Sequence, residues 1–218
     1  MLFDLDGVLT PTADLHERAW TDLFNGYLGR HAPDEPPFTD ADYLAHVDGR
    51  ARYDGVRTFL ASRQIELPEG SPTDAPGDDT VHALGNAKNA AFQAVLRRDG
   101  ITAFAGSLAL LDALATATIG VAVVSSSRNA AEVLAAAGIA DRFTVVIDGA
   151  VAAERSLPGK PAPDTYLAAA ADLGVAAARA AVVEDALSGV AAGRAGAFGA
   201  VIGVDRGAEV DALRANGA

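Results

Sequence analysis

Cysteine is absent from the 218 residues. That excludes disulfides and thiolate metal sites and suits a reducing compartment, so a cytoplasmic location is expected. Lysine is almost absent: of 17 basic residues only Lys88 and Lys160 are lysines, which makes each worth tracing. No apolar run reaches the length needed to cross a bilayer and no secretory h-region opens the chain, so no membrane is expected as a partner. Positive charge is short overall. The 29 acidic and 17 basic residues leave a formal net charge of −12. A nucleic acid needs a basic face, so that class of partner is not expected either. A small phosphate still suits an acidic protein, where Mg²⁺ and a few Arg or Lys concentrate positive charge locally.

Half of the residues are hydrophobic, and the length suits one α/β core with an inserted subdomain. The chain opens Leu2-Phe3-Asp4-Leu5-Asp6-Gly7, a short apolar strand that runs into carboxylates and breaks at glycine. From Gly106 onward, strands expected at 120–124, 143–147, 181–183 and 200–204 alternate with helices expected at 108–118, 129–137, 163–173 and 186–195. That alternation predicts a Rossmann-like parallel sheet covered on both faces. Residues 13–104 interrupt it. They read as helices up to about Leu28, around Val56–Leu60 and over 81–98, with an exposed Pro-, Gly- and Asp-rich loop at 68–80. The expected organisation is a catalytic core of 1–12 and 105–218 and an α-helical cap of 13–104.

Residues of one kind recur at the expected strand ends: Asp4 and Asp6, Ser125 and Ser127, Glu184 and Asp185. In a parallel sheet these ends lie side by side, where ligands bind. In an extended strand Asp4 and Asp6 would share a face, and two such charges need a cation or a proton between them. Helix capping explains one such residue per loop but not two adjacent carboxylates after Val182-Val183. Lys160 sits on a Pro-bounded loop before a helix.

The stretch Asp4-x-Asp6-Gly7-Val8-x-Thr10, followed in order by Ser125, Lys160 and Glu184-Asp185, resembles the haloacid dehalogenase superfamily of phosphotransferases. The resemblance spans nearly the whole chain. It implies that Asp4 is the nucleophile that becomes aspartyl-phosphate and that Asp6 is the general acid/base. Halide-removing members lack the second Asp, so Asp6 favours phosphate chemistry. Phosphoryl transfer also needs its equatorial oxygens neutralised. Asp4, the Asp6 backbone carbonyl, Asp185 and the nearby Glu184 are hard-oxygen candidates for Mg²⁺. Ser125 is a hydrogen-bond donor for the phosphoryl group, and Lys160 a compact charge for it.

Within the superfamily the chain is most similar to the β-phosphoglucomutase branch. The residues concerned are Thr12, His16 and Trp20; Gly49, Arg52 and Asp54; Lys88-Asn89; Ser125-Ser126-Ser127-Arg128-Asn129; and Lys160-Pro161-Ala162-Pro163-Asp164. The resemblance implies that Arg52 holds the non-reacting phosphate of a sugar bisphosphate. It implies that His16 and Lys88 couple the cap to Asp6, and that Ser127 and Asn129 contact substrate. Thr12, Trp20, Gly49 and Ser126 join the expected substrate-binding set. Left open are a surface role for His16 and an ion pair of Arg52 with Asp48 or Asp54. Two positions depart from the pattern: Pro11 stands where relatives have Asp, and Arg128 where the mutase has Lys. Relatives continue beyond the point where this chain stops, so incomplete termini are expected. The implied activity is a monomeric Mg²⁺-dependent conversion of β-glucose 1-phosphate to glucose 6-phosphate, with a small phosphorylated sugar as partner. The alternatives are a small-phosphomonoester phosphatase and a catalytically idle binding module.

Overall fold

The structure, a computed structural model, describes residues 1–206 and 210–218. In chain order its elements are β1 (Leu2–Phe3), α1 (Thr12–His31), α2 (Asp40–His46), α3 (Arg52–Ser62), α4 (Val81–Asp99), α5 (Ala105–Thr116), β2 (Ala122–Val124), α6 (Ala130–Ala136), β3 (Val145–Ile147), α7 (Gly149–Glu154), α8 (Asp164–Asp172), β4 (Ala181–Glu184), α9 (Leu187–Ala195), β5 (Ala200–Gly203) and α10 (Val210–Ala215). The strands form one parallel sheet in the order β3-β2-β1-β4-β5. This is the α/β architecture that the alternation predicts. Leu2, Ala122, Val124 and Val182 are completely buried under helix α8 residues such as Tyr166 and Ala169. Continuous apolar strands of this kind are what a sheet covered on both faces requires.

The register puts the chemistry together. Phe3 pairs with Val123 on one side and with Val183 on the other. The next residue of each strand or its exit is therefore Asp4, Val124 and Glu184. The Asp4 amide still donates to the Val183 carbonyl at 2.9 Å, so β1 delivers Asp4 at the middle of the C-terminal edge.

The strands are shorter than the apolar runs suggest. β1 ends at Phe3, so strand alternation does not extend to Asp6. The chain instead curls into a loop closed by the Leu9 and Thr10 amides on the Leu5 carbonyl. Val145–Ile147 alone pairs within the 143–147 stretch, because Ala140–Arg142 forms a short 3₁₀ turn just before it. Helices α2, α7 and α10 are elements that the sequence pattern does not predict. α2 starts from a capping box between Thr39 and Asp42, directly after prolines that point to a break. α7 starts from Asp148, whose Oδ1 accepts from Ala150 and Val151 amides at 2.9 Å each.

The chain divides into two compact units, Met1–Thr12 with Ile101–Ala218, and Ala13–Gly100. Residues 101–104 group with the first unit, where the Phe104 amide donates to the Leu9 carbonyl at 2.9 Å. The second unit is all helix, with its own aromatic core. Phe24 lies 4.2 Å from Phe59 and 5.0 Å from Phe38, measured between ring centres. Such pairs contribute about 0.5–1.5 kcal/mol each beyond area burial. No helix among the described residues is long and apolar enough to cross a membrane.

Candidate active site

At the sheet edge, Lys160 is the centre of a buried cluster. Its Nζ lies 2.5 Å from Asp4 Oδ1 and 2.6 Å from Glu184 Oε1, and it donates to the Val124 carbonyl at 3.2 Å. Three N–H groups thus meet three acceptors. The ammonium also sits 5.0 Å from the centre of the Tyr166 ring. Glu184 is wholly buried, a position that costs a carboxylate several kcal/mol unless its oxygens are satisfied. Here they are: Oε1 accepts from Lys160 and from the Tyr166 hydroxyl at 3.1 Å, and Oε2 accepts from the Ala186 amide at 2.9 Å.

Two glycines make room for this arrangement. A Cβ on Gly189 of α9 would stand 1.6 Å from Glu184 Oε1. A Cβ on Gly7 would stand 1.7 Å from Asp185 Oδ2, and Gly7 has φ +80°, a conformation other residues rarely adopt. The glycine after the two aspartates is therefore a space requirement of the acidic pair as well as a turn.

One ammonium serves two buried carboxylates. Burial pushes the Asp4 carboxyl well above the usual carboxylate range. Lys160 opposes the shift, while Glu184 and Asp6 add to it. For Lys160 burial pulls the other way, but the Asp4 and Glu184 charges outweigh it and hold the ammonium well above its ordinary value. Burial and Glu184 likewise raise Tyr166, which stays a donor. Asp4, Glu184 and Asp185 each offer an oxygen, and the three oxygens lie within 4.8 Å of one another. A hard-oxygen set with an excess of negative charge fits a small divalent cation. The Asp6 carboxylate is not among those three oxygens.

Asp6 has different company. Its Oδ1 accepts from the Thr12 hydroxyl and its Oδ2 from the Ser125 hydroxyl at 3.2 Å. Thr10 and Thr12, both wholly buried, share a hydrogen bond of 2.8 Å. Ser125 Oγ in turn accepts from the Ser127 amide at 3.1 Å, and Ser127 Oγ from the Asn129 amide at 3.1 Å. Ser126 follows Ser125 in the same turn, and its carbonyl would lie 2.7 Å from a Cβ on Gly149. The first unit thus brings two bonded groups to the sheet edge, Asp4, Lys160 and Glu184 in one and Asp6, Thr12, Ser125 and Ser127 in the other, with an Asp185 oxygen within 4.8 Å of oxygens of Asp4 and Glu184.

The remaining expected residues lie in the second unit, in two groups. His16 stacks on Phe92 with ring centres 4.1 Å apart, and Lys88 hydrogen-bonds to His16 Nδ1. The Lys88 ammonium lies 5.0 Å from Trp20 and 5.1 Å from Phe92. His16 is thereby tied into the unit, and Trp20 is part of its hydrophobic core. Arg52 donates to Asn89 Oδ1 at 2.7 Å, and Gly49 (φ +68°) turns the chain just before α3. Asp54 pairs with Arg57 at 2.5 Å.

Several residues of these networks carry no local sequence signal. Tyr166 stands two positions past Asp164 in the Lys160 segment, a spacing that does not advertise a bond to Glu184. Arg206, Ser107 and Phe104 grip the loop after Asp6. Arg206 donates to the Gly7 carbonyl, Ser107 to the Val8 carbonyl at 2.7 Å, and the Arg206 guanidinium lies 3.8 Å from the Phe104 ring centre. Only the tertiary fold brings these residues to residues 7–9.

This is an α/β protein with a parallel sheet and a buried carboxylate on the tip of its central strand, at the C-terminal edge where sheets of this class bind ligands. The chain belongs to the haloacid dehalogenase-like hydrolase family, whose model matches residues 1–196. It is 51% identical over 229 residues to a β-phosphoglucomutase of Mycobacterium bovis, covering 100% of this chain and 86% of that one. It is 32% identical over 205 residues to the β-phosphoglucomutase of Bacillus subtilis, covering 93% and 82%. The crystal structure of a β-phosphoglucomutase from Clostridium difficile shares the fold, with a TM-score of 0.73 at 24% identity over 92% of this chain and 82% of that one.

Proposed function

We propose that this chain is a Mg²⁺-dependent phosphotransferase that converts β-glucose 1-phosphate to glucose 6-phosphate through an aspartyl-phosphate at Asp4. The observation that carries it is the different environment of two carboxylates two residues apart. Asp4 is buried against Lys160, whereas Asp6 is half-buried and held by two hydroxyls. A pair whose surroundings differ in this way suits two roles, nucleophile and proton carrier. The 51% identity to a mycobacterial β-phosphoglucomutase supports the sugar phosphate as substrate.

In this reading an Asp4 carboxylate oxygen forms the bond to phosphorus as the bond from phosphorus to the sugar oxygen breaks. Asp6 gives its proton to the departing oxygen and takes one from the hydroxyl that next attacks the phospho-aspartate. Lys160 holds the nucleophile in place and neutralises charge on the phosphoryl oxygens. Ser125, whose single hydroxyl hydrogen goes to Asp6 before substrate is bound, turns it to the phosphoryl group in the complex. Asp4, Asp185 and the Asp6 carbonyl, with Glu184 behind them, would hold Mg²⁺. The ion, when bound, supplies charge neutralisation of the phosphoryl group. Arg52 takes the non-reacting phosphate of the bisphosphate. His16 and Lys88 serve the acid/base function of Asp6, and Ser126, Ser127 and Asn129 contact substrate. Water is a competing acceptor, so its exclusion separates mutase from phosphatase.

The test is to incubate the protein with Mg²⁺, β-glucose 1-phosphate and a trace of glucose 1,6-bisphosphate, and to follow glucose 6-phosphate and free phosphate together. Glucose 6-phosphate in large excess is the expected result. Free phosphate as the main product would make the chain a phosphatase and overturn the mutase reading.

A further inference from the structure

Arg52 opens α3 and lies against α4, where its Nη2 donates to Asn89 Oδ1 at 2.7 Å. Its stem and the ring of the next residue, Tyr53, run past Gly85. A Cβ there would stand 2.8 Å from Tyr53 Cδ1 and 3.3 Å from Arg52 Cδ. Glycine weakens a helix interior, so this close approach explains its presence in α4. The residue after it, Asn86, uses its whole amide. The Tyr53 hydroxyl donates to Asn86 Oδ1 at 2.9 Å, and Asn86 Nδ2 donates to the carbonyls of Pro72 at 3.2 Å and Asp74 at 2.9 Å. One side chain therefore ties the residue beside Arg52 to the 68–80 loop. His82 adds a second brace, with its ring edge on Tyr53 (centres 4.1 Å apart) and its Nδ1 2.8 Å from the Glu69 carbonyl. The loop is closed on itself by Asp74, which accepts from the Ser71 amide at 3.0 Å and the Thr80 hydroxyl at 2.7 Å.

An exposed loop that only connected two helices would not need directional bonds to the neighbour of a functional arginine. An arginine side chain is long and rich in rotamers, and ordering it on binding costs entropy. A side chain held before the ligand arrives avoids much of that cost. We propose that Tyr53 and Asn86, braced by the 68–80 loop, are positioning residues for Arg52. They would select hexose phosphates that carry a phosphate at the non-reacting end over short monophosphates. The proposal rests on the reading above that Arg52 takes this phosphate.

The experiment uses the full chain with Mg²⁺ and compares wild type with Asn86→Ala, Tyr53→Phe, Arg52→Ala and the double variant Arg52→Ala/Asn86→Ala. It measures kcat and KM for glucose 1,6-bisphosphate as phosphodonor, turnover of acetyl phosphate, and Tm. In Asn86→Ala the KM for the bisphosphate is expected to rise about 10-fold, since small misplacements of a binding group have large effects. Tyr53→Phe, which keeps the ring and the packing, is expected to show a smaller rise of the same kind. Acetyl phosphate has no second phosphate, and its turnover should stay within about twofold of wild type in both variants. With Arg52 already removed, Asn86→Ala should add nothing, because the two act as one unit. Equal losses on both substrates, or additive effects in the double variant, would assign Asn86 a structural role and end the proposal. Wild type inactive on every sugar phosphate would defeat the functional reading itself. A wild type active on the bisphosphate beside an unaffected Asn86→Ala would defeat the positioning role alone.

Discussion

Asp4 depends on its neighbours for its geometry, and those neighbours are buried. Asp4→Asn keeps the shape but replaces the carboxylate proposed as nucleophile with an amide. We expect phosphoryl transfer to fall by at least about 10⁴-fold, measured as loss of acid-stable, base-labile phosphoprotein with any phosphodonor. A fully active variant would remove Asp4 from the mechanism. Gly189→Ala tests the support behind it. The added Cβ would overlap Glu184 Oε1, and Glu184 cannot move without leaving Lys160, Tyr166 or the Ala186 amide. A loss of about 2–4 kcal/mol in urea unfolding is expected, together with reduced activity. If both are unchanged, Glu184 has more room than this packing allows.

At the scale of elements, the loop before α4 and the start of α7 lend themselves to tests. The Ser71 amide and then the Thr80 hydroxyl hold Asp74 below its ordinary value. His31 and then Arg30 do so for Asp78, and Arg57 does so for Glu69. A folded pKa below the unfolded one means support that is present above the unfolded value and lost as pH falls through the folded value. Amide protection of residues 68–80 should therefore hold above about pH 4–5 and drop as pH falls below about 4. Hydrogen exchange along a pH series, corrected for intrinsic rates, reads this. Protection that stays flat to lower pH would show that these carboxylates do not hold the loop. Asp148→Ala removes the cap from α7 and is expected to cost about 1 kcal/mol, seen as a lower Tm.

For the whole molecule, a divalent cation held by the acidic group at the sheet edge, as proposed, would link folding to the cation concentration. A ligand that binds only the folded state stabilises by about 2.7 kcal/mol at 100 times its Kd. For a chain of this size that is a Tm rise of roughly 5–10 °C. Mg²⁺ should produce such a rise in wild type and little in Asp185→Ala, and chelation should abolish phosphoryl transfer until Mg²⁺ is returned. A Tm that ignores Mg²⁺ in wild type would argue against the ligand set at Asp4 and Asp185.

Much of this was present in the order of residues. Alternating apolar runs and helices predict the parallel sheet because a strand buried on both faces has to be apolar throughout. Strand ends show their carboxylates and hydroxyls because each run stops at them. Strand order is a different matter: the position of β1 between β2 and β4 follows from how the helices cover the sheet, and that placement brings Ser125, Lys160 and Glu184 around Asp4. The short β1 also changes what Asp6 faces, since strand alternation ends at Phe3. Polar contacts across long sequence separations leave no local pattern. Tyr166 on Glu184, Arg206 on the Gly7 carbonyl and Asn86 on the 68–80 loop are of this kind. The residue types and the architecture were thus written in the chain itself. Which side chain holds which was decided only when burial forced each polar group to find a partner.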